Sequence, residues 1–283
     1  MSDRLGESPI WDSQRRLLYW VDILGQKIHS FDPESKQLIT VYLQEKVTSI
    51  ALRQSGGLIA TSWKGFVLFD WETESLTPLV NIEEDLLENS FNDGKCDRLG
   101  RFWAGTINRV RWDKPTGSLY LLNPDKSVTI TERNTICVNG LAWSPDDRIM
   151  YVVESFLYTI FAYDYDIDLG TLSNKRPFCC FPKEAKGFPD GITVDAEGSV
   201  WCAMGVLGWI IRIDPQGHIT KKIVFPVPGI TSCTFGGNDL ETLYVTSSRE
   251  NMTVADLEKY PLSGNLFSIN PGVKGIGEPT AFF

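Results

Sequence analysis

The chain is built from short apolar bursts separated by polar turns. Runs rich in aromatic and β-branched residues recur as "LLYWVD" from Leu17, "LIATSW" from Leu58, "FWAGTI" from Phe102, "IMYVVE" from Ile149, "VWCAMG" from Val200 and "TLYVTS" from Thr242. Each is preceded by a turn: "DSQRR", "RQSGG", "DRLGR", "SPDDR", "DAEGS" and "GGNDLE". Such runs, bounded by Gly, Asp, Asn and Ser, predict strands joined by tight connections. A second run follows each of them: "KIHSFD", "GFVLFD", "SLYLLN", "TIFAYD", "WIIRID" and "NLFSIN", ending on Asp or Asn and often on Pro. A further strand follows in most units, as in "LITVYL", "SVTITE" and "ITKKIVF". No long stretch carries a helical 3.6-residue period to compete with this reading.

One more strand completes the unit and sets its phase. "ESPIWD" from Glu7, "TSIALR" from Thr48, "NDGKCD" from Asn92, "NGLAWS" from Asn139, "DGITVD" from Asp190 and "TSCTFG" from Thr231 stand before the turns, at intervals of 41, 44, 47, 51 and 41 residues. Four short strands per repeat of this length is the signature of a propeller blade. Six such units fill residues 1–283 without a linker, which predicts an all-β, single-domain, six-bladed β-propeller. A two-sheet sandwich explains neither the period nor the count.

Composition narrows the function. With 42% hydrophobic and 22% charged residues the chain is ordinary for a globular protein, and its net charge of −9 argues against nucleic acid or an anionic membrane as partner. No apolar run is long enough to span a bilayer. "MSDRL" lacks the basic-then-apolar pattern of a secretion signal, so a cytoplasmic protein, monomeric or weakly dimeric, is expected. The six cysteines include no C-x-x-C pair and are expected to be reduced core residues.

The first strand of each propeller blade lines the central channel, so the six anchor residues form a ring. All six carry polar oxygen. Two carboxylates, Glu7 and Asp190, and the amide of Asn139 would converge on one axis. Two unpaired carboxylates in a closed channel raise each other's pKa, and a divalent cation removes that cost. All-oxygen ligation suits Ca²⁺, Mn²⁺ or Mg²⁺, and carboxylate oxygen also binds Zn²⁺. Three protein ligands leave positions for water or substrate, as in a catalytic site. His29 and His218, the two histidines, fall away from the axis, which leaves a Ser-His-Asp arrangement without a base. Among the tryptophans only Trp63, Trp112 and Trp209 follow second strands near a channel mouth; the others read as blade packing. Glu154-Ser155 reads as a hydrogen-bonded rim pair; Lys95, Asp97 and Arg101 belong to the first hairpin of blade three, where Lys95, alternating with Asn92, reads as structural. "FNDGKCD" is not an EF-hand loop: position 12, counted from Asn92, is Trp103 rather than Glu.

The motifs "GESPIWD", "SIALRQSGGLIAT", "FNDGKCDRLGRFWAGT", "NGLAWSPD", "PDGITVDAEGSVW" and "TSCTFGG", with the tail "GVKGI", resemble the senescence marker protein (regucalcin), gluconolactonase and luciferin-regenerating enzyme family. The resemblance spans about residues 5–277 and touches all six blades. It implies one divalent metal on the axis and, for many members, hydrolysis of sugar lactones. It further implies that Glu7, Asn139 and Asp190 hold the metal, that Asp190 is also the general base, and that Asn92 contacts substrate. Members that open sugar lactones carry Arg two residues before that Asn, where an Arg would grip lactone hydroxyls; here the position is Ser90. The segment "INRVRWDKPTG" is short for a substrate lid. Relatives usually have a further strand before Gly6 that closes the last blade; either "EPTAFF" replaces it or that blade has three strands. A metal-dependent lactonase is the leading expectation. A calcium-binding regulatory protein with little turnover and a promiscuous ester or organophosphate hydrolase are the alternatives.

Overall fold

The computed structural model describes residues 2–185 and 187–283. Six sheets are arranged in chain order, and within each the blade's own strands are antiparallel and run from the inside outward in sequence order. The sheets occupy residues 6–42, 47–81, 89–135, 138–180, 188–224 and 230–269, so the six-bladed propeller expected from the repeat is the observed fold. One short helix, Val254–Lys259, opens with a capping box in which Thr253 and Asp256 satisfy each other's backbone N–H groups.

The core is divided into six apolar clusters, one between each pair of adjacent blades. Second strands are therefore buried on both faces, which is why they read as nearly continuous apolar runs rather than as alternating ones. The cluster between blades six and one is small: Trp11, Leu18, Trp20 and Tyr244, with Trp11 stacked on Tyr244 at 5.8 Å. Backbone pairing reinforces this seam. Leu5 bridges Ser248, Asp3 N–H donates to Gly264 O at 2.7 Å, and Thr231 Oγ1 donates to Gly6 O at 2.6 Å.

Five blades have four strands of their own. The sixth has three, Ile230–Gly236, Thr242–Ser247 and Phe267–Ile269. "EPTAFF" does not complete it. Thr280 and Ala281 instead lie parallel to Leu52 and Arg53 of blade two. On the way the segment crosses the underside of the ring. Gly275 bridges Asp195 of blade five, and Glu278 accepts from Thr234 of blade six at 2.9 Å and pairs with Lys95 of blade three at 3.0 Å. Phe282 N–H donates to Gly100 O. The structural role expected of Lys95 is thus to hold the channel floor. Asp97 and Arg101 also serve the scaffold: the Asp97 carboxylate gathers Arg101 Nε (2.7 Å), the Trp103 indole N–H (2.9 Å) and Tyr165 OH (2.7 Å). Asp195 repeats the arrangement in blade five with Trp201 and Arg212.

Replacing Glu278 by Ala removes the acidic partner of a mostly buried Lys95. The expected loss is about 2–3 kcal/mol, somewhat below that of a fully buried pair, read as a lower urea midpoint at constant slope. An unchanged midpoint would show that the tail does not secure the floor.

Candidate metal centre

Every inner strand breaks its pairing with the second strand at the same level. Asn92 and Asp93 face Gly105 alone, Asn139 and Gly140 face Val153, Asp190 and Gly191 face Ala203, and Thr231 and Ser232 face Thr246. Thr48 is the extra residue in blade two, and in blade one the irregularity follows Glu7 at Ser8-Pro9. A bulge re-aims side chains that a regular ladder would direct at the neighbouring strand. Asn-Gly and Asp-Gly, which ordinarily mark hairpin turns, here mark close approach at the axis. A Cβ on Gly140 would sit 2.5 Å from Ile192 N and 2.7 Å from Asp190 O, both backbone atoms.

The ring predicted from sequence divides in two. Thr48 is satisfied by Thr61 at 2.7 Å, and Thr231 by Gly6 O and by Thr246 at 2.9 Å, so both are structural. Glu7, Asn139 and Asp190 come together. Asp190 is buried, and its Oδ1 has no hydrogen-bond partner. Burial pushes its carboxyl well above the usual range, the charge of Asp93 pushes it further, and the amide of Asn139 partly offsets this. Glu7 is raised in the same way, by burial first, then by Asp190 and by Asp93. Asp93 itself is pushed up to about 6 by burial. Like charges are thus held together without protein counter-charges adequate to them. Asn139 Nδ2 donates to Ser155 Oγ at 3.1 Å, and Ser155 donates to Pro189 O at 2.7 Å, which fixes the amide and leaves its Oδ1 uncommitted.

The Glu154-Ser155 pair is not at a rim. Both residues are buried; Glu154 accepts from Cys137 N–H at 3.0 Å and Ser155 positions Asn139. Asn92 donates from Nδ2 to Val138 O at 2.9 Å and accepts at Oδ1 from Arg109 at 3.0 Å. Ser90 is buried beneath the same arginine, which donates from Nε to Ser90 Oγ at 2.8 Å, so Ser90 meets the channel only through Arg109. Trp63 lies under Lys46 and Arg109, at 4.2 and 5.1 Å from its ring. Trp112 stacks on Phe156 at 5.4 Å, and Phe156 meets Phe188 edge-on, an aromatic line from blade three to blade five at the end where the inner strands begin. Trp209 faces Lys222 of its own blade. His29 is buried against Thr40, and all six cysteines are free.

Two residues of the site escaped sequence reasoning. Asp93 neighbours Asn92, and strand alternation assigns it to the opposite face; the bulge cancels that assignment. Arg109 lies beyond the second strand of blade three, outside the anchor column. Among the described residues no three His, Cys, Asp or Glu side chains cluster as a ligand set. The oxygen groups gathered at this level are the carboxylates of Glu7 and Asp190 and the amide of Asn139. Orphaned Asp190 Oδ1, the free Asn139 oxygen and mutually repelling carboxylates fit a hard divalent cation.

The sequence matches the SMP-30/Gluconolactonase/LRE-like region model over residues 5–249. The chain belongs to this family. Regucalcin of Xenopus laevis is 39% identical over 99% of this chain and 95% of that protein, and regucalcin of Homo sapiens is 39% identical over 96% and 93%. A luciferin-regenerating enzyme structure superposes with TM-score 0.93 at 32% identity, covering 100% of this chain and 96% of that one. A regucalcin of Agrobacterium tumefaciens, described as a calcium-binding protein, gives 0.94 at 27% identity over 100% and 95%.

Removing one carboxylate should stabilise the metal-free protein. In chelator-treated samples at neutral pH, Asp190→Asn is expected to gain about 1–2 kcal/mol in urea unfolding, the reverse of what a structural carboxylate would give. A loss of stability would mean that the carboxylates do not burden one another.

Proposed function

We propose that this member of the family is a divalent-metal-dependent hydrolase of small lactones, with Glu7, Asn139 and Asp190 holding the ion. The observation that carries the reading is the unpartnered Asp190 Oδ1 beside a second, half-buried carboxylate and an amide fixed by Ser155. Family membership, with gluconolactonase in the family's name, supports the substrate class. The cation is one of Ca²⁺, Zn²⁺, Mn²⁺ or Mg²⁺. When bound, it would supply Lewis-acid polarisation of the lactone carbonyl.

The chain's own residues do the rest. Asp190 accepts a proton from the water that attacks the carbonyl carbon. The carbon–oxygen bond of the ring then breaks, and the same proton passes to the departing ring oxygen, giving a hydroxy acid. Asn92, held at both ends of its amide, presents a fixed edge to the substrate. The aromatic line of Trp112, Phe156 and Phe188 offers an apolar surface for the substrate's carbon skeleton. The second reading, a calcium-binding protein with little turnover, is favoured by the likeness to the Agrobacterium tumefaciens protein described as calcium-binding.

A pH-stat assay on aldonolactones and one aryl ester separates the two readings. Hydrolysis should vanish on chelation and return with at least one of the four cations. Asp190→Ala should lower kcat by about 100- to 10,000-fold. Turnover that survives both treatments would reject the mechanism, and calcium binding without turnover on any substrate would favour the second reading. Ser155→Ala frees the Asn139 amide and should weaken metal affinity about 10- to 100-fold by calorimetry.

A further inference from the structure

Arg109 is an unusual cation for this site. Its backbone N–H donates to Glu88 O at 2.8 Å, at the end of the second strand of blade three. Its side chain crosses back over the inner strand. Nε donates to Ser90 Oγ at 2.8 Å, and Nη2 donates to Phe91 O at 3.1 Å and to Asn92 Oδ1 at 3.0 Å. The guanidinium carbon lies 5.1 Å from the Trp63 ring centre. The following loop is folded on itself: Asn108 Oδ1 accepts from the N–H groups of Val110 and Arg111, and the Trp112 indole donates to Arg109 O. The guanidinium is therefore fixed from three sides.

What it lacks is a counter-ion. Among the described residues no carboxylate lies within ion-pair distance of Arg109, although burial drags its pKa down and only Cys137, Glu250 and Glu7 act against that at longer range. Nη1 has no hydrogen-bond partner among the described residues either, and the side chain is partly exposed. A poorly solvated cation with a free edge is poised for an oxygen-bearing ligand. Arginine is suited to this by its planar fork, which holds two neighbouring oxygens at once.

We infer that Arg109 is the substrate-binding arginine of this site, its Nη1 edge taking oxygens of a polyhydroxylated lactone and of the sugar acid formed from it. The inference rests on the lactonase reading and adds to it the group that selects oxygen-rich substrates. The guanidinium already fills the space above Ser90, so an arginine arriving from the neighbouring strand does what a long side chain at position 90 would do.

D-Gluconate serves as the probe, titrated calorimetrically into the metal-loaded protein, with KM for gluconolactone measured in parallel. Arg109→Ala should weaken gluconate binding and raise KM about 10- to 100-fold, with kcat falling less. Arg109→Lys should be intermediate, because it keeps the charge and loses the fork. Ser90→Arg combined with Arg109→Ala should recover part of the affinity. Wild-type gluconate affinity in Arg109→Ala overturns the inference, as does a double variant no better than Arg109→Ala, since the loss would then come from a displaced Asn92. Gluconate binding that depends on Arg109 in a protein without turnover would overturn the lactonase reading alone. Turnover indifferent to Arg109 would overturn this inference alone.

Discussion

Six inner strands converge on one axis, and none can keep a regular ladder where they meet. Each yields an irregularity at the same level. From this one constraint follow the glycines at 94, 140 and 191, which sit where neighbouring backbone or side chains leave no room for a Cβ. The aim of the anchor side chains follows too. A strand alternates its residues between two faces, and an inner propeller strand has both faces occupied by adjacent blades. Only a broken ladder lets such a strand direct polar groups along the axis. The chemistry of the site is thus a product of the packing problem at the centre of the ring.

The electrostatics carry a tension that packing alone would not tolerate. Asp190 is driven toward its neutral form by burial and by Asp93, and Glu7 by burial, by Asp190 and by Asp93. Meanwhile Arg109, a charge of the opposite sign, is engaged by Ser90, Phe91 and Asn92 rather than by any of these carboxylates. Opposite charges that could neutralise one another are kept apart by hydrogen bonds. On the proposed function, the carboxylates would take a cation and Arg109 the oxygens of a ligand. Active sites commonly retain such strain at the expense of stability.

Most of the fold was legible because the repeat supplied its own controls. A turn residue in one unit could be checked against five others, and the polar anchor stood out once the units were in phase. That Glu7, Asn139 and Asp190 would meet at one level of the axis was legible in this way. Asp93 was hidden by the two-residue alternation that holds in a regular strand and fails at a bulge. Arg109 was hidden because its position is set by the loop conformation after Asn108, which has no periodic signature. The same limit applies to "EPTAFF". It was one of two ways to account for the strand that closes the last blade in relatives, but its partner was decided by Glu278 meeting Lys95 and Thr234 across the ring.

The segment from Gly275 to Phe282 bears on the order in which the molecule is assembled. It ties together blades five, six, three and two beneath the channel. Pairing at the seam between the first and last blades joins residues as far apart as Asp3 and Gly264. A nascent chain emerging from the ribosome can form blade hairpins one after another, since each is local in sequence. It cannot close the ring or lay the floor until the sixth blade and this segment are free. Contacts so distant along the chain close late and slowly. Glu7 leaves the ribosome well before Asp190, yet the two face each other across the channel only once the first and last blades have closed the ring.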